Sequence, residues 1–249
     1  MIPTALLDGK LSLLQSETGH RAGTDAILLA ATVPDQFTGL LVDAGSASGA
    51  AGLACAIRVS AARVHLMEID PKEAELARKN IDTNGLADRA KVIEGDLLAP
   101  FKRREAMGMT KGEADRVISN PPYLTDGKSR MSPNEDRKRA HLMPDGGLDR
   151  WIVGCHAMLK PQGRLTLIHR ADALADLLAA FKGRFGGVSI LPIFAYPKKP
   201  ATRLLIEGIK GSKAPLTLMP GLVLHEIDGA FTPQAEALHR GLIALNLRH

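Results

Sequence analysis

The amino-acid sequence predicts an α/β fold with a doubly wound, mostly parallel sheet. Apolar segments centred near residues 40, 65, 92, 117 and 166 have the composition of strands and alternate with helical segments, which is the pattern of a parallel sheet covered by helices. A loop of small residues follows the first of these strands, and polar side chains follow several of the others. Both features are typical of sheets that bind a nucleotide at the ends of their strands.

Residues 1–38 precede the first strand of this sheet. They contain a short strand, Leu11 to Gln15, and a helix after Thr24, whose hydroxyl group is suited to cap that helix. We expect this segment to form a cap over the ligand-binding end of the sheet.

The last part of the chain predicts strands of a different kind. Gly187 to Tyr196 and Thr202 to Lys210 are joined by a short link that suits an antiparallel pair at the edge of the sheet. Farther on, Leu216 to Leu218 and Leu222 to His225 flank Pro220-Gly221. Because a Pro-Gly pair is typical of a type II turn, a small terminal hairpin is expected.

Length and composition fit one compact domain with short extensions, since 249 residues with 45% hydrophobic content can bury a full core. We predict an N-terminal cap segment at 1–38, a main domain at 39–210, and a hairpin and helix extension of the same domain at 211–249. No apolar stretch approaches a bilayer span, and the first residues lack the pattern of a signal peptide. A cytoplasmic location is therefore expected.

The small-residue loop, residues 43–49, joins the strand ending at Val42 to an alanine-rich helix. Its glycines let a ligand lie against the backbone, and the amides at the helix start favour a carboxylate. A dinucleotide fingerprint starting at Gly45 is matched only in part, because Ala47 stands at its third position. A carboxylate at Asp43 repels a pyrophosphate but suits the ammonium and sulfonium groups of S-adenosylmethionine. We therefore predict S-adenosylmethionine rather than NAD, with a turn that binds nothing as the alternative. The predicted contacts are Asp43, Gly45, Ala47 and Gly49.

Two later strand ends carry further carboxylates. Glu68 stands where folds of this kind hold a ribose diol, so we predict it to bind the ribose of the cofactor. Asp70 before Pro71 instead suits the start of the next helix. Asp96 follows another strand and is placed to accept a hydrogen bond from the adenine amine of the cofactor.

The tetrad Asn120-Pro121-Pro122-Tyr123 ends the next apolar strand. The side-chain oxygen of Asn120 and the carbonyl of Pro121 are suited to accept the two protons of a planar amine, while the Tyr123 ring stacks on its plane. Accepting both protons weakens the conjugation of the amine and aims its nitrogen at a methyl donor. A plain strand-ending turn is the alternative. The predicted catalytic residues are Asn120, Pro121, Pro122 and Tyr123, and Asn120 is also a predicted cofactor contact.

The two cysteines, Cys55 and Cys155, limit the chemistry. They lie in predicted helices without C-x-x-C spacing, so we expect small core residues rather than a disulfide framework or a zinc site. No metal is predicted. Methylation of a pyrimidine ring carbon needs a thiolate nucleophile at a strand end, and neither cysteine is placed there.

Positive charge predicts a nucleic-acid substrate. The chain carries a net charge of +5, and a basic, Ser/Pro/Asn-containing segment follows the tetrad. Such a segment is suited to contact phosphates around a flipped base, although an ordinary solvated loop is the alternative. The aromatic content of 4% limits stacking on long single strands. The predicted RNA contacts are Lys128, Arg130, Arg137, Lys138, Arg139 and Arg203, with Lys198 and Lys199 extending the track.

Taken in order, these motifs resemble a known family. The series Asp43-x-Gly45-x-x-x-Gly49, Glu68, Asp96 and Asn120-Pro-Pro-Tyr123 is similar to class I S-adenosylmethionine-dependent methyltransferases of the amino-methylating type, which act on adenine, guanine or glutamine amides. The resemblance implies a Rossmann-like, seven-stranded, mostly parallel sheet with an antiparallel edge hairpin. The family usually has glycine in place of Ala47, so here an added methyl group must fit beside the methionine moiety.

Two further segments resemble one branch, the methyltransferases of adenine N6 in valine tRNA. They are Gln15 to Ala31, with its Gly23-Thr24-Asp25 core, and Lys198 to Leu205. This branch implies methyl transfer to an adenine amine in RNA, above all tRNA. Two alternatives stay open. A glutamine-amide methyltransferase of a release factor uses the same tetrad, and a catalytically silent RNA-binding module would result if Ala47 spoiled the cofactor pocket.

Overall fold

The structure is a computed structural model that describes residues 1–16, 23–108, 111–122 and 147–247. A small sheet pairs β1 (Ile2–Leu6) with β2 (Leu11–Gln15). The strands of the main sheet are β3 (Gly39–Ala44), β4 (Ala62–Glu68), β5 (Ala90–Glu94), β6 (Ala114–Ser119), β7 (Leu159–Arg170), β8 (Phe185–Phe194), β9 (Ala201–Lys210), β10 (Thr217–Leu218) and β11 (Leu222–Val223). The helices are α1 (Thr24–Ala31), α2 (Ala50–Arg58), α3 (Pro71–Thr83), α4 (Phe101–Ala106), α5 (Gly147–Met158), α6 (Leu174–Phe181) and α7 (Pro233–His239).

The main sheet has the predicted doubly wound topology. Its strand order is β10-β8-β9-β7-β6-β3-β4-β5, with β11 also paired to β8. From β7 to β5 every pairing is parallel, whereas β9 runs antiparallel to both of its neighbours. The chain order reverses between β3 and β6, which is the point where open α/β sheets bind ligands. Within the described residues, β8, β9, β7, β6, β3, β4 and β5 supply the seven expected strands, and the antiparallel edge pair is confirmed.

The terminal hairpin predicted around Pro220-Gly221 does not form. Instead, β10 and β11 each pair in parallel with β8, Thr217 beside Ser189 and Leu222 beside Ile193. The unpaired backbone of an edge strand is a ready partner for an extended segment, so residues 217–223 run along β8 rather than fold back. Gly221 lies against the Phe194 ring, where an added Cβ would come within 2.2 Å of a ring carbon.

The N-terminal hairpin docks on α3 through two asparagines. Asn80 is fully buried, and it donates to the carbonyls of Leu14 and Ser48 and accepts from the Leu14 amide. Asn84 bonds both backbone groups of Ser12 in the same way. Since Ser48 belongs to the small-residue loop, Asn80 ties this hairpin to the loop. Strand β1 was not predicted from the sequence, and α1 is capped by Gly23 rather than by the Thr24 hydroxyl.

Two apolar clusters fill the interior, one on each face of the main sheet. Leu41 belongs to one cluster and Leu40 and Val42 to the other, because successive side chains of a strand point to opposite faces. Cys55 and Cys155 are buried in these clusters as free thiols, which confirms the predicted core roles. In the part of the chain that the structure describes, no helix is both long and apolar enough to cross a bilayer.

A buried charged network crosses three neighbouring strands. Glu207 on β9 accepts hydrogen bonds from Arg116 on β6 and Arg164 on β7, both at 2.7 Å, and from the Thr166 hydroxyl at 2.9 Å. Burial alone would raise the pKa of Glu207, but the two guanidinium groups outweigh it and hold that pKa below its usual value. The network therefore ties β9 to β6 and β7 in this register.

Removing the central charge tests this network. Glu207→Gln is expected to lower the free energy of unfolding by about 3 kcal/mol, because it leaves two guanidinium groups without a counter-charge. Denaturant unfolding at neutral pH measures the effect. Glu226→Gln, at an exposed position, serves as the control and is expected to change stability by less than about 0.5 kcal/mol. Similar losses in the two variants would contradict a special role for Glu207.

Candidate active site

The carboxyl ends of the central strands meet at one edge of the sheet. Ala44 at the end of β3 pairs with Met67 of β4 on one side and with Ser119 of β6 on the other. The residues that follow or flank these pairs, Asp43, Glu68 and Asn120, were all predicted for the site. The register therefore brings them to one edge, on both sides of the switch point.

The small-residue loop between β3 and α2 is shaped by two glycines in the left-handed region. Gly45 has φ of +72°, and an added Cβ there would lie 2.9 Å from the Trp151 ring of α5. Gly49 has φ of +92°, and its Cβ would lie 2.8 Å from Leu66. Both positions therefore require glycine for conformation and for space. At these two glycines the loop therefore presents backbone atoms without a side chain of its own, at the carboxyl end of β3.

Ala47 also lies in the left-handed region, with φ of +46°. This conformation costs an alanine roughly 1 kcal/mol because its Cβ crowds the following carbonyl. Its amide donates to Glu68 Oε2 at 2.7 Å, which holds the strained turn in place. The geometry gives a physical reason why glycine suits this position better.

Substituting this residue tests the strain. Ala47→Gly is expected to raise the free energy of unfolding by up to about 1 kcal/mol, since relief of strain exceeds the added chain entropy of glycine. Ala50→Gly, in the first turn of α2, is the control and is expected to lower it by about 1 kcal/mol. Thermal unfolding of both variants measures the difference. Destabilisation by Ala47→Gly would show that the Ala47 methyl group packs favourably.

Glu68 fastens this loop to the end of β4. One carboxylate oxygen accepts from the Ala47 amide, and the other accepts from the amides of Ile69 and Asp70, both at 2.8 Å. Burial raises the pKa of Glu68 although these three hydrogen bonds oppose the shift. Since a carboxylate has about four acceptor positions, room remains for a hydroxyl group of a ligand. Asp70 caps α3 by accepting from the Lys72 amide, with Pro71 in the first turn, as predicted.

Asp43 is buried behind the loop, where its carboxylate accepts from the Gly52 amide at 2.8 Å. Burial, opposed by this hydrogen bond and reinforced by the charge of Glu68, raises the pKa of Asp43 to about 7. Two carboxylates thus lie close together in a poorly solvated place. A cationic ligand group would stabilise their ionised forms.

The raised pKa of Asp43 makes stability depend on pH. The folded protein retains a proton on this group between about pH 4 and pH 7, where the unfolded chain has lost it, so stability falls as pH rises through this window. Asp43→Asn removes the effect. The free energy of unfolding of the variant minus that of the wild type is expected to be roughly 2 to 3 kcal/mol larger at pH 8 than at pH 5. A stability difference that is equal at both pH values would contradict the raised pKa.

Two polar atoms at this edge are buried without a hydrogen-bond partner among the described residues. They are Asn120 Oδ1, at the end of β6, and Ser46 Oγ, in the small-residue loop. An unpaired buried acceptor costs about 1 to 3 kcal/mol, so such groups indicate a partner that binds there. Pro121, beside Asn120, is also buried.

Two residues that support Asn120 were not predicted from the sequence. Ser119 precedes it, and the Ser119 hydroxyl donates to the Ala44 carbonyl at 2.6 Å and accepts from Trp151 Nε1 at 3.0 Å. The Trp151 ring also packs on Gly45. Trp151 is the sole tryptophan of the chain, and this was the one sequence signal available for it.

The remaining predicted residues have other placements. Asp96 follows β5 and accepts from the Leu98 amide at 2.7 Å, so it stabilises its own turn. Arg203 lies at the start of β9 and pairs with Asp25 of α1 at 3.1 Å. The predicted residues that lie outside the described part of the chain are Tyr123, Lys128, Arg130, Arg137, Lys138 and Arg139.

The Rossmann-like methyltransferase class is defined by a doubly wound sheet with a small-residue loop after β3, a carboxylate at the end of β4 and an amide after β6. Comparison with known proteins agrees: residues 16–190 match the family described as the methyltransferase small domain. The chain belongs to this family. It is a methyltransferase whose methyl donor is S-adenosylmethionine.

Individual relatives support the same assignment. The tRNA1(Val) (adenine(37)-N6)-methyltransferase of Porphyromonas gingivalis W83 is 32% identical over 94% of this chain and 92% of that protein. The release factor glutamine methyltransferase of Moorella thermoacetica is 32% identical over 62% of this chain and 55% of that protein. A crystal structure described as a predicted O-methyltransferase from Agrobacterium tumefaciens has a TM-score of 0.76 at 34% identity, covering 89% of this chain and 98% of that one.

The residues present fit S-adenosylmethionine. Asp43 and Glu68 would supply negative charge for its cationic end and acceptors for its ribose, and the loop around Gly45 would supply backbone free of side chains. Ser46 Oγ, which has no hydrogen-bond partner within the described ranges, would supply a further polar contact. When bound, the cofactor supplies an electrophilic methyl group on a positively charged sulfur.

Proposed function

We propose that this chain methylates the exocyclic amine, N6, of an adenine in RNA, most specifically in tRNA. The observation that carries the proposal is Asn120 Oδ1 at the switch point, which is buried and has no hydrogen-bond partner in the described part of the chain. A free amide oxygen there is suited to accept a proton from a planar amine. Ring carbons and hydroxyl groups do not offer two such protons to the tetrad.

The chain contributes position and hydrogen-bond acceptors to the reaction. Asn120 Oδ1 and the Pro121 carbonyl accept the two amine protons, and Tyr123 stacks on the adenine. These contacts concentrate the lone pair on N6, so N6 forms its new bond to the methyl carbon as the carbon–sulfur bond breaks and its electrons return to sulfur. N6 then releases one proton to solvent, so no dedicated base is required.

The RNA substrate is supported by the relatives and by charge. The full-length relative from P. gingivalis is named for adenine 37 of a valine tRNA. The basic residues Lys128, Arg130, Arg137, Lys138 and Arg139, with Arg203, are proposed to contact phosphates. A tRNA substrate fits the expected cytoplasmic location, and the segment 1–38 is proposed to cap the cofactor, since Asn80 ties its β2 to the small-residue loop.

Replacing the proposed acceptor tests the mechanism. Asn120→Ala is expected to lower the rate of methyl transfer by at least about a hundredfold, the loss typical of a missing transition-state hydrogen bond. Binding of S-adenosylmethionine, measured by calorimetry, is expected to stay nearly intact. Asn120→Asp keeps an oxygen acceptor and is the matched control, with more activity than Asn120→Ala.

The assay is transfer of labelled methyl to unmodified tRNA, followed by digestion and mass spectrometry of the nucleosides. Labelled 6-methyladenosine, lost in Asn120→Ala, is the expected result. Equal rates in the wild type and Asn120→Ala would contradict the role of the tetrad. Label in a release-factor glutamine, with none in RNA, would replace the RNA substrate by the protein one.

A further inference from the structure

Four rings follow one another on the surface beyond the antiparallel edge of the sheet. Two of the three neighbouring pairs are stacked, and the Tyr196–His225 pair is tilted by 31°. Tyr196 follows β8, His225 and Phe231 flank a turn, and His239 ends α7. The centroid distances are 5.3 Å from Tyr196 to His225, 4.8 Å from His225 to Phe231 and 4.3 Å from Phe231 to His239. We call these four residues the aromatic ladder.

We propose that the aromatic ladder is a second RNA contact, on which an unpaired base near the target adenine stacks. The inference rests on the proposed function and extends it from the reaction to recognition of the substrate. Base–aromatic stacking tolerates any base because every base has a flat face. The ligand is therefore an unpaired stretch of RNA rather than a particular nucleotide.

Fixed hydrogen bonds hold the ladder in place. One ring nitrogen of His239 is bonded to the Ala235 carbonyl at 2.8 Å and the other to the Thr24 hydroxyl at 3.1 Å. His225 Nδ1 lies 3.2 Å from the Gly229 carbonyl, and a β-bridge joins the backbones of His225 and Phe231. A surface that is already ordered loses little entropy when a base binds.

The exposure of the rings distinguishes this ladder from a core cluster. Tyr196 is 41% exposed and Phe231 is 40% exposed. Aromatic residues make up only 4% of the chain, so two exposed rings in one stack are a concentrated feature. If the ladder served only to pack the C-terminal segment, burial of these rings would be expected.

The ladder lies on the same edge of the sheet as Asn120. Ser119 at the end of β6 pairs with Leu167 of β7, and Arg170 farther along β7 pairs with Arg203 at the start of β9. Arg203 also pairs with Ile193, near the end of β8. Strand β8 is three strands from β6, or roughly 14 Å at the usual spacing. This distance corresponds to roughly four nucleotides at a stacked spacing of about 3.4 Å.

Charge beside the ladder suits RNA. Lys198 and Lys199 are exposed in the link that starts at Tyr196, and Arg203 follows on β9, where it pairs with Asp25. Lysines next to an exposed ring provide phosphate contacts beside a stacking surface. The turn between His225 and Phe231 carries Glu226 and Asp228, so the phosphates are expected on the lysine side of the ladder.

Substitution of the outermost ring tests the inference in the full chain. Tyr196→Ala is expected to weaken binding of unmodified tRNA by roughly 5- to 150-fold, the range for loss of one base–aromatic stack. Its kcat at saturating tRNA and its affinity for S-adenosylmethionine are expected to equal those of the wild type. Tyr196→Phe keeps the ring and is expected to bind like the wild type.

Ile227→Ala is the matched control, because Ile227 is apolar, 90% exposed and in the adjoining turn, yet is not part of the ladder. It is expected to leave tRNA binding unchanged. Wild-type tRNA affinity in Tyr196→Ala, or equal losses of affinity in Tyr196→Ala and Ile227→Ala, would overturn the ladder as a base contact. Methyl transfer to tRNA by the wild type would still support the proposed function in that case. A wild type that methylates no RNA would instead refute the proposed function. The tRNA affinities of the wild type and Tyr196→Ala would then test the ladder on their own.

Discussion

The three hydrogen bonds accepted by Glu68 are the constraint on which the site depends. Its carboxylate lies at the end of β4 and accepts from the Ala47 amide on one side and from the amides of Ile69 and Asp70, just before α3, on the other. This arrangement holds a loop that contains a strained alanine and keeps it against the sheet. The backbone on which a cofactor rests is therefore positioned by a side chain from the neighbouring strand, and the loop sequence alone does not determine its shape.

The same constraint has an electrostatic cost. Burial raises the pKa values of both Asp43 and Glu68, and the charge of Glu68 adds to the shift at Asp43. Nearby, Ser46 Oγ and Asn120 Oδ1 have no partner within the described ranges. A cationic cofactor and an amine substrate would relieve these costs, so the site suits partners of that charge and polarity. The buried carboxylates and polar atoms therefore lower the stability of the fold at the candidate active site.

Features of this structure that depend on residues close together in the sequence could be predicted, whereas features that depend on distant strands could not. The strands near residues 40, 65, 92 and 117, the loop after β3 and the cap at Asp70 follow from neighbouring residues, and the structure confirms them. The turn at Pro220-Gly221 was predicted wrongly, because pairing of β10 and β11 with β8 depends on a distant edge strand.

The same distinction applies to the site. The polar strand ends were visible in the sequence, but the packing of Trp151 on Gly45 is set by helix placement, and a tryptophan inside a helix has no local sign of that contact. Likewise, the aromatic ladder joins four residues from three separate segments. The low aromatic content predicted limited stacking on long single strands, but composition does not show where the few rings converge.

The reaction and the choice of substrate are therefore placed on different strands. The proposed cofactor and amine contacts lie at β3, β4 and β6, and a relative that aligns with 62% of this chain is named as a methyltransferase of a release-factor glutamine, whose amide the proposed tetrad contacts would also suit. Chemistry shared by two substrate classes cannot select between them. Selection must come from surfaces outside that chemistry, and the edge formed by β8, β9 and the C-terminal segment supplies rings and lysines at the same end of the sheet. In this proposal an unpaired base stacks its face on the aromatic ladder, while the tetrad contacts only the amine of the target adenine.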